Sequence, residues 1–330
     1  MRCDGGMGDL SLTLACGDYD LTRALIDGSV QPPGIQLTVL PMPSPERHWR
    51  MMRFEEFDVA ELSMSHYLVA HAEERGFTAI PVFPHRRFRH SFVFCRTDVG
   101  IDKPKDLDGK RIALRTFQNT AGVWTRGILA DDFGVDIGSI QWFTQDEEET
   151  PWDPPSWLHV ERVPAGGNLD RMIVAGELDA AIYPETLPSF AKGDPKVKRL
   201  FANPKEVERD YFARTGIFPI MHTVVVKNEV LDRYPWVAVS MLKAFRTAKD
   251  RCYARLEDPR QTALAWVQDL LEEQRSVMGS DPWPYALEPN RATLTALVRY
   301  SHTQGMIPRA PAIEELFAPN SLSESPRYVS

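Results

Sequence analysis

Short β-prone runs alternate with helix-length amphipathic stretches along the first part of the chain. Ser11-Leu12-Thr13-Leu14-Ala15-Cys16 reads as a first strand, closed by Gly17-Asp18-Tyr19-Asp20, and Thr22 to Ile26 begins a short helix. Pro32-Pro33-Gly34 breaks the pattern before a second strand, Ile35 to Leu40. Ser44-Pro45-Glu46 then opens a helix through Phe54, with serine as N-cap and proline at the first helical position. Asp58 to Leu62 is a third strand, leading through Ser63-Met64-Ser65-His66-Tyr67 into a helix that reaches Glu74, with Gly76 as its stop. Such alternation implies a mostly parallel sheet whose strand carboxyl ends collect ligand-binding groups. That places Asp18, Tyr19, Ser63, Ser65 and His66 on one rim. Ser63 and Ser65 equally suit helix capping, and His66 equally suits a satisfied core histidine.

The apolar runs Ala79 to Phe83 and Phe92 to Cys95 frame the most polar short segment of the chain, His85-Arg86-Arg87-Phe88-Arg89-His90-Ser91. Both flanks read as buried strands, so this segment belongs at a strand end or crossover. The planar fork of arginine binds both carboxylate oxygens at once, and histidine titrates nearest neutrality, so an acidic small molecule is the first ligand to consider. Pairing of these arginines with the chain's own acids is the competing reading.

Asp102 to Leu114 is a turn or short helix feeding a strand, followed by Arg115-Thr116-Phe117-Gln118-Asn119-Thr120-Ala121-Gly122 and an apolar helix from Val123 towards Phe133. A strand, polar loop and helix start present free N–H groups and a positive helix end, a seat for a carboxylate. Arg115, Thr116, Asn119 and Thr120 therefore join the substrate-binding candidates, with Asn119 or Thr120 also suited to be the N-cap. Ser139 to Phe143 is a further strand, and Asp146-Glu147-Glu148-Glu149 reads most simply as a solvated loop. Asn168 to Ile182 gives a capped helix, a glycine stop and a short strand that puts Tyr183 and Glu185 on a second rim. Gly216 to Val226 is a long β-prone run carrying the chain back, and Pro235 to Leu256, Gln261 to Glu273 and Glu288 to Gln304 are helical.

A chain of 330 residues calls for two lobes, and 43% apolar with 25% charged residues is ordinary for a globular protein. A net charge of −8, with no long basic run, argues against a nucleic-acid surface. Met1 to Leu10 lacks the basic start and apolar core of a secretory leader, and no stretch approaches membrane-spanning length, so a cytoplasmic protein without membrane partners is expected. Cys3, Cys16, Cys95 and Cys252 are scattered as reduced structural thiols would be. There is no internal repeat, glycine fingerprint, P-loop or HExxH.

Asp102 to Leu114, Asn119 to Gly122 and Gly176 to Ile182 resemble the second lobe of type II periplasmic-binding-protein folds. Ala15 to Asp20, Arg86 to Ser91, Gly216 to Thr223, Trp283-Pro284-Tyr285 and Glu288 to Arg291 together resemble the 4,5-dihydroxyphthalate decarboxylase family, over most of the chain from Leu12 to about Gly305. The resemblance implies an α/β fold of two sheet-centred lobes joined by two crossovers, residues 1–97 with 218–330 and residues 98–217, with the ligand in a central cleft. It also implies a carboxy-lyase acting without a cofactor on a hydroxylated aromatic mono- or dicarboxylic acid, 4,5-dihydroxyphthalate being the example. On this reading His66, His222, Asp18 and His90 are the catalytic candidates, and at least one of Arg86, Arg87 and Arg89 holds the carboxylate that stays. Arg115 and the backbone of Asn119 to Ala121 are expected to face the arginine segment across the cleft. A noncatalytic cytosolic binding protein or sensor is the alternative. A metal-assisted decarboxylase, with His66, His90, His222 and Asp18 meeting in space, is the third reading, and homo-oligomerisation is left open.

Overall fold

The structure, a computed structural model, describes residues 10–322. Cys3 and all but the last residue of the Met1 to Leu10 leader reading lie outside the described residues. The chain begins with β1 (Leu10–Cys16), α1 (Arg23–Ile26), β2 (Ile35–Pro41), α2 (Ser44–Phe54), β3 (Val59–Ser63), α3 (Met64–Ala72) and β4 (Phe77–Ile80). It continues with β5 (Val93–Arg96), β6 (Arg111–Leu114), α4 (Thr120–Phe133), β7 (Gln141–Thr144), β8 (His159–Arg162), α5 (Leu169–Ala175), β9 (Ala180–Ile182), α6 (Pro188–Ala191), β10 (Val197–Arg199) and α7 (Pro204–Thr215). β11 (His222–Lys227), α8 (Asn228–Arg233), α9 (Val237–Glu257), α10 (Val267–Met278) and α11 (Arg291–Thr303) follow.

Among the described residues one sheet has the order β2-β1-β3-β11-β4 and the other β10-β5-β9-β6-β7-β8. Strand–helix succession produces the parallel pairs, β1 with β2 and β3 in the first sheet and β6 with β9 and β7 in the second. Both sheets are nevertheless mixed. β11 enters between β3 and β4 antiparallel to both, and β5 enters antiparallel to β9 and β10. The expectation of mostly parallel sheets missed these two insertions because each strand's neighbours lie far away in sequence.

The chain divides into a first unit, Met1–Arg86 with His222–Arg291 and Pro311–Ser330, and a second, Arg87–Met221 with Ala292–Ala310. The first change of unit thus falls before β5 rather than at Thr97, because β5 hydrogen-bonds into the second sheet. The return falls at His222 rather than Phe218, and α11 joins the second unit, where Gln304 Nε2 donates to the Val123 carbonyl at 3.0 Å. Every residue of β3 is buried, as are Val224, Val225 and Val226 of β11. A strand covered on both faces reads as a continuous apolar run, which is why these segments are visible in sequence. In the second unit Phe94, Ala113, Leu169, Ile173, Ala181 and Leu187 form the core around the sheet.

Helix ends follow local chemistry where a side chain can reach. Asn119 caps α4 by accepting the Gly122 N–H at 2.7 Å, and Asn168 caps α5 by accepting the Arg171 N–H at 3.0 Å. Ser44 is not the cap foreseen: it is the first residue of α2, and Pro43 stands at the N-cap position.

Candidate active site

Glu61 sits in the middle of β3, fully buried between Ala60 and Leu62. An ionised carboxylate in such a strand requires paired donors, and four residues supply them. Gly17, just past the end of β1, donates its N–H to Oε2 at 2.7 Å, and Tyr19 in the same loop donates its hydroxyl to Oε1 at 2.8 Å. A Cβ on Gly17 would stand 2.3 Å from the Tyr19 ring, so the tyrosine can fold back over this position only because it is glycine. From α2, Arg47 brings Nη2 to 2.6 Å from Oε1 and also donates to the Tyr19 oxygen at 3.0 Å and to the Met42 carbonyl at 2.6 Å. From β11, His222 places Nδ1 in a close contact with Oε1.

The register explains this last contact. His222 lies opposite Ser63 and Val224 opposite Glu61, so Glu61 and His222 are diagonal neighbours on one face of the sheet. Burial alone would raise the carboxyl of Glu61, but Arg47 and then His222 more than offset it and hold the group well below the ordinary carboxylate range. Burial, followed by the Glu61 charge, pushes the Tyr19 phenol up, so it remains a donor.

Further imidazoles surround His222. His85 lies edge-on to it with ring centroids 4.7 Å apart and stacks on Tyr19 at 5.7 Å, and its carbonyl accepts the His222 N–H at 3.2 Å. His48, on α2, is edge-on to His222 at 4.8 Å. Burial, followed by the charges of His222, Arg47, His66 and His85, drives His48 well below the ordinary histidine range. His66 is buried on α3. Next to it the Ser63 and Ser65 hydroxyls lie 3.4 Å apart, and Ser63 occupies the α3 N-cap position without a side-chain capping bond.

His66, His222 and Tyr19 therefore belong to this unit's polar cluster, whereas two other catalytic candidates have different surroundings. Asp18 is exposed and pairs with Arg23 at 2.8 Å; the carboxylate behind a histidine is Glu61 instead. His90 is buried in the second unit against Phe201 and Tyr211, with ring centroids at 5.4 and 5.2 Å, and burial pulls its titration down to about 4. Such packing makes it a neutral core histidine. Among the described residues no group of three or more His, Cys, Asp or Glu is arranged to hold a metal ion. Burial pushes the Cys16 thiol up to about 12, which makes it a structural residue.

The arginine run divides by burial. Arg86 is buried and donates to Asn290 Oδ1 and to the Pro284 carbonyl, anchoring the Trp283-Pro284-Tyr285 loop; burial brings it down to about 10. Arg89 is also buried, donates to the Tyr183 carbonyl at 3.0 Å, lies 4.6 Å from the Phe92 ring centroid and is brought down to about 9 by burial and then by Arg87. Arg87 is exposed, its guanidinium 5.1 Å from the Phe92 ring centroid, and no carboxylate among the described residues pairs with it.

The foreseen anion seat of the second unit is filled from within. Glu148 accepts the Phe117 N–H at 2.5 Å and the Gln118 N–H at 3.0 Å, while Asp146 binds Arg115 at 2.6 Å and Glu147 binds Arg162 at 2.6 Å. The acidic run is thus a loop with Glu147 exposed, as foreseen, but tied down by basic and N–H donors from the β6–α4 turn and from β8. Asn119 is a cap whose amide also donates to the Thr116 carbonyl, and Thr120 is buried in the first turn of α4. Tyr183 donates its backbone N–H to the Phe92 carbonyl, and Glu185 is exposed.

Glu61, Arg47 and His48 escaped the sequence reading. A lone glutamate in an otherwise apolar strand was the available signal for Glu61. For the other two it was helical spacing: Arg47 and His48 precede Met51 and Met52 by four residues, and all four are buried.

Residues 21–152 match the model of a family described as ABC transporter, phosphonate, periplasmic substrate-binding protein. Among solved structures, the periplasmic aliphatic sulphonate binding protein SsuA of Escherichia coli aligns with a TM-score of 0.56 at 13% identity, covering 97% of this chain and 94% of that one. The putative sulfonate-binding SsuA of Methylobacillus flagellatus aligns at 0.58 and 13% identity, covering 95% of this chain and 93% of that one. These similarities establish the type II periplasmic-binding-protein-like fold and no more than the fold. Sequence relatives carry the argument further. A 4,5-dihydroxyphthalate decarboxylase of Comamonas testosteroni is 35% identical over 329 residues, 96% of this chain and 98% of that protein. One from Pseudomonas putida is 36% identical over 213 residues, 62% of this chain and 83% of that protein. Identity of 35% extending over 96% of this chain shows that the chain belongs to the 4,5-dihydroxyphthalate decarboxylase family.

Proposed function

We propose that this chain is a cytoplasmic carboxy-lyase that removes carbon dioxide from a hydroxylated aromatic dicarboxylate of the 4,5-dihydroxyphthalate type, without an added cofactor. The observation that carries the mechanism is the Glu61–His222 pair: a buried anion holding Nδ1 of an imidazole. With Nδ1 engaged, Nε2 is the atom that transfers a proton. The protonated ring is stabilised by the carboxylate behind it, as a general acid requires.

In this reaction a hydroxyl para to the departing carboxylate pushes electron density to the ipso carbon. His222 protonates that carbon, the bond to the carboxylate breaks, and its electron pair restores the aromatic ring as carbon dioxide leaves. 4,5-Dihydroxyphthalate would give 3,4-dihydroxybenzoate. The retained carboxylate needs a bidentate donor, and we assign this to Arg87, whose exposed guanidinium is two residues along the chain from His85. An equally tight grip on the departing carboxylate would stabilise the ground state and slow the step. The buried free thiols Cys16, Cys95 and Cys252 fit a reducing compartment, and among the described residues no helix is long and apolar enough to cross a membrane.

The test is to incubate the protein with a panel of hydroxyphthalates and hydroxybenzoates in deuterated water, following carbon dioxide and ring labelling at the vacated carbon. The expected result is labelled product from a para-hydroxylated dicarboxylate, with single-turnover formation lowered by about two to four orders of magnitude in His222→Asn. Binding without turnover across the panel would overturn the enzyme reading in favour of a sensor.

A further inference from the structure

Decarboxylation by this route has two proton requirements, an acid for carbon and an acceptor for the hydroxyl that pushes. Two imidazoles in contact, held in opposite electrostatic surroundings, meet such a requirement. His222 is backed by the Glu61 carboxylate. The His48 ring meets it edge-on at 4.8 Å, is only 4% exposed, and its Nε2 is buried without a hydrogen-bond partner among the described residues. A buried imidazole nitrogen with no partner is costly and calls for an explanation. A ligand hydroxyl supplies one.

We propose that His48 is the second proton-handling residue of the decarboxylation, its Nε2 accepting the proton of the ring hydroxyl para to the departing carboxylate; this rests on the reaction assigned above. As His222 adds its proton to the ipso carbon, positive charge spreads to the para oxygen and its O–H becomes strongly acidic. His48 takes that proton, leaving a neutral dienone. The dienone expels carbon dioxide, the electron pair of the broken C–C bond returning to the ring as phenolate. The phenolate recovers the proton from His48, and His222 is reprotonated from water, so one proton is consumed for each carbon dioxide released. Because the hydroxyl has become so acidic, a weak base suffices, and what matters is that the base is vacant when the proton arrives. The surroundings ensure this. His222 on β11, Arg47 on α2, His66 on α3 and His85 after β4 all oppose a positive charge on His48, and Glu61, the nearby anion on β3, is already neutralised by Arg47.

The experiment uses the full-length protein with 4,5-dihydroxyphthalate in His48→Gln and His48→Ala. Gln keeps the volume and polarity of the ring but cannot carry the proton. We expect a loss of about 100-fold or more in its single-turnover rate, with an unchanged unfolding midpoint and substrate affinity changed by less than about tenfold, one hydrogen bond's worth. The fall of kcat/KM towards low pH that reports an essential base should disappear. Added imidazole should restore turnover to His48→Ala, which a packing role would not allow. Turnover by His48→Gln within threefold of wild type, or no response of His48→Ala to imidazole, overturns the proposal. Failure of the wild type to release carbon dioxide from any panel member is a separate outcome: it removes the reaction itself, and the proposal with it.

Discussion

Replacing Glu61 with Gln tests whether the buried charge pair organises the candidate site. Glu61 and Arg47 are 0% and 1% exposed in their side chains and 2.6 Å apart, so removing either charge leaves the other in a medium that solvates it poorly. Breaking a buried pair from one side costs about 3–5 kcal/mol, a large part of the roughly 5–15 kcal/mol that holds a typical domain together. Glu61→Gln strands the Arg47 guanidinium, and Arg47→Met strands a carboxylate that still faces His222. The double variant strands no arginine: a Gln oxygen at the Oε2 position still accepts the Gly17 N–H, and the Gln amide at the Oε1 position can donate to the Tyr19 oxygen that Arg47 vacates. Its cost should therefore fall at least about 2 kcal/mol short of the sum of the single costs, a coupling within the range of directly paired residues. Urea unfolding of the four proteins gives the cycle, and single-turnover product formation on those that remain folded gives the catalytic part, expected to fall about 100-fold or more in Glu61→Gln as His222 loses its partner. Single variants that each lose under about 1 kcal/mol, or a double variant equal to the sum of the singles, would refute the account of Glu61 as a charge-locked anchor.

His90 should make the second unit acid-sensitive: its titration falls from 6.5 to about 4 on folding, so its contribution is present above pH 6.5 and lost as pH falls from there to about 4. The loss amounts to about 3 kcal/mol, and His90→Phe should flatten the pH dependence of the urea midpoint across that window; an unchanged slope would contradict it. Arg87→Lys should weaken substrate binding about tenfold, since a point charge cannot reproduce the bidentate fork, while Arg86→Lys and Arg89→Lys act on the unfolding midpoint; wild-type affinity in Arg87→Lys would remove it from the retained carboxylate. Glu148→Ala should cost about 1–3 kcal/mol by releasing the buried N–H groups of Phe117 and Gln118, and an unaltered midpoint would show that water replaces it.

The order of strands and helices, the caps at Asn119 and Asn168 and the apolar strands around the arginine segment were legible in the sequence, because each depends on residues within a few positions of one another. Glu61 was legible in principle as a lone acid in a buried strand. What periodicity reports is which face of an element is covered, and it carries no record of what covers it. The insertion of β11 between β3 and β4, which sets His222 against a glutamate 161 residues earlier, has no local signature. Nor does the inward turn of Arg47 and His48 on α2, whose Arg47 became the counter-charge to Glu61 and whose His48 came to lie against His222. The arginine segment shows the same limit from the other side. Its composition announced anion recognition, yet burial turned Arg86 and Arg89 to backbone carbonyls and an amide, and left Arg87 with its charge exposed. Charge type is written in the sequence, but its use depends on desolvation and on partners that only the folded chain brings within reach.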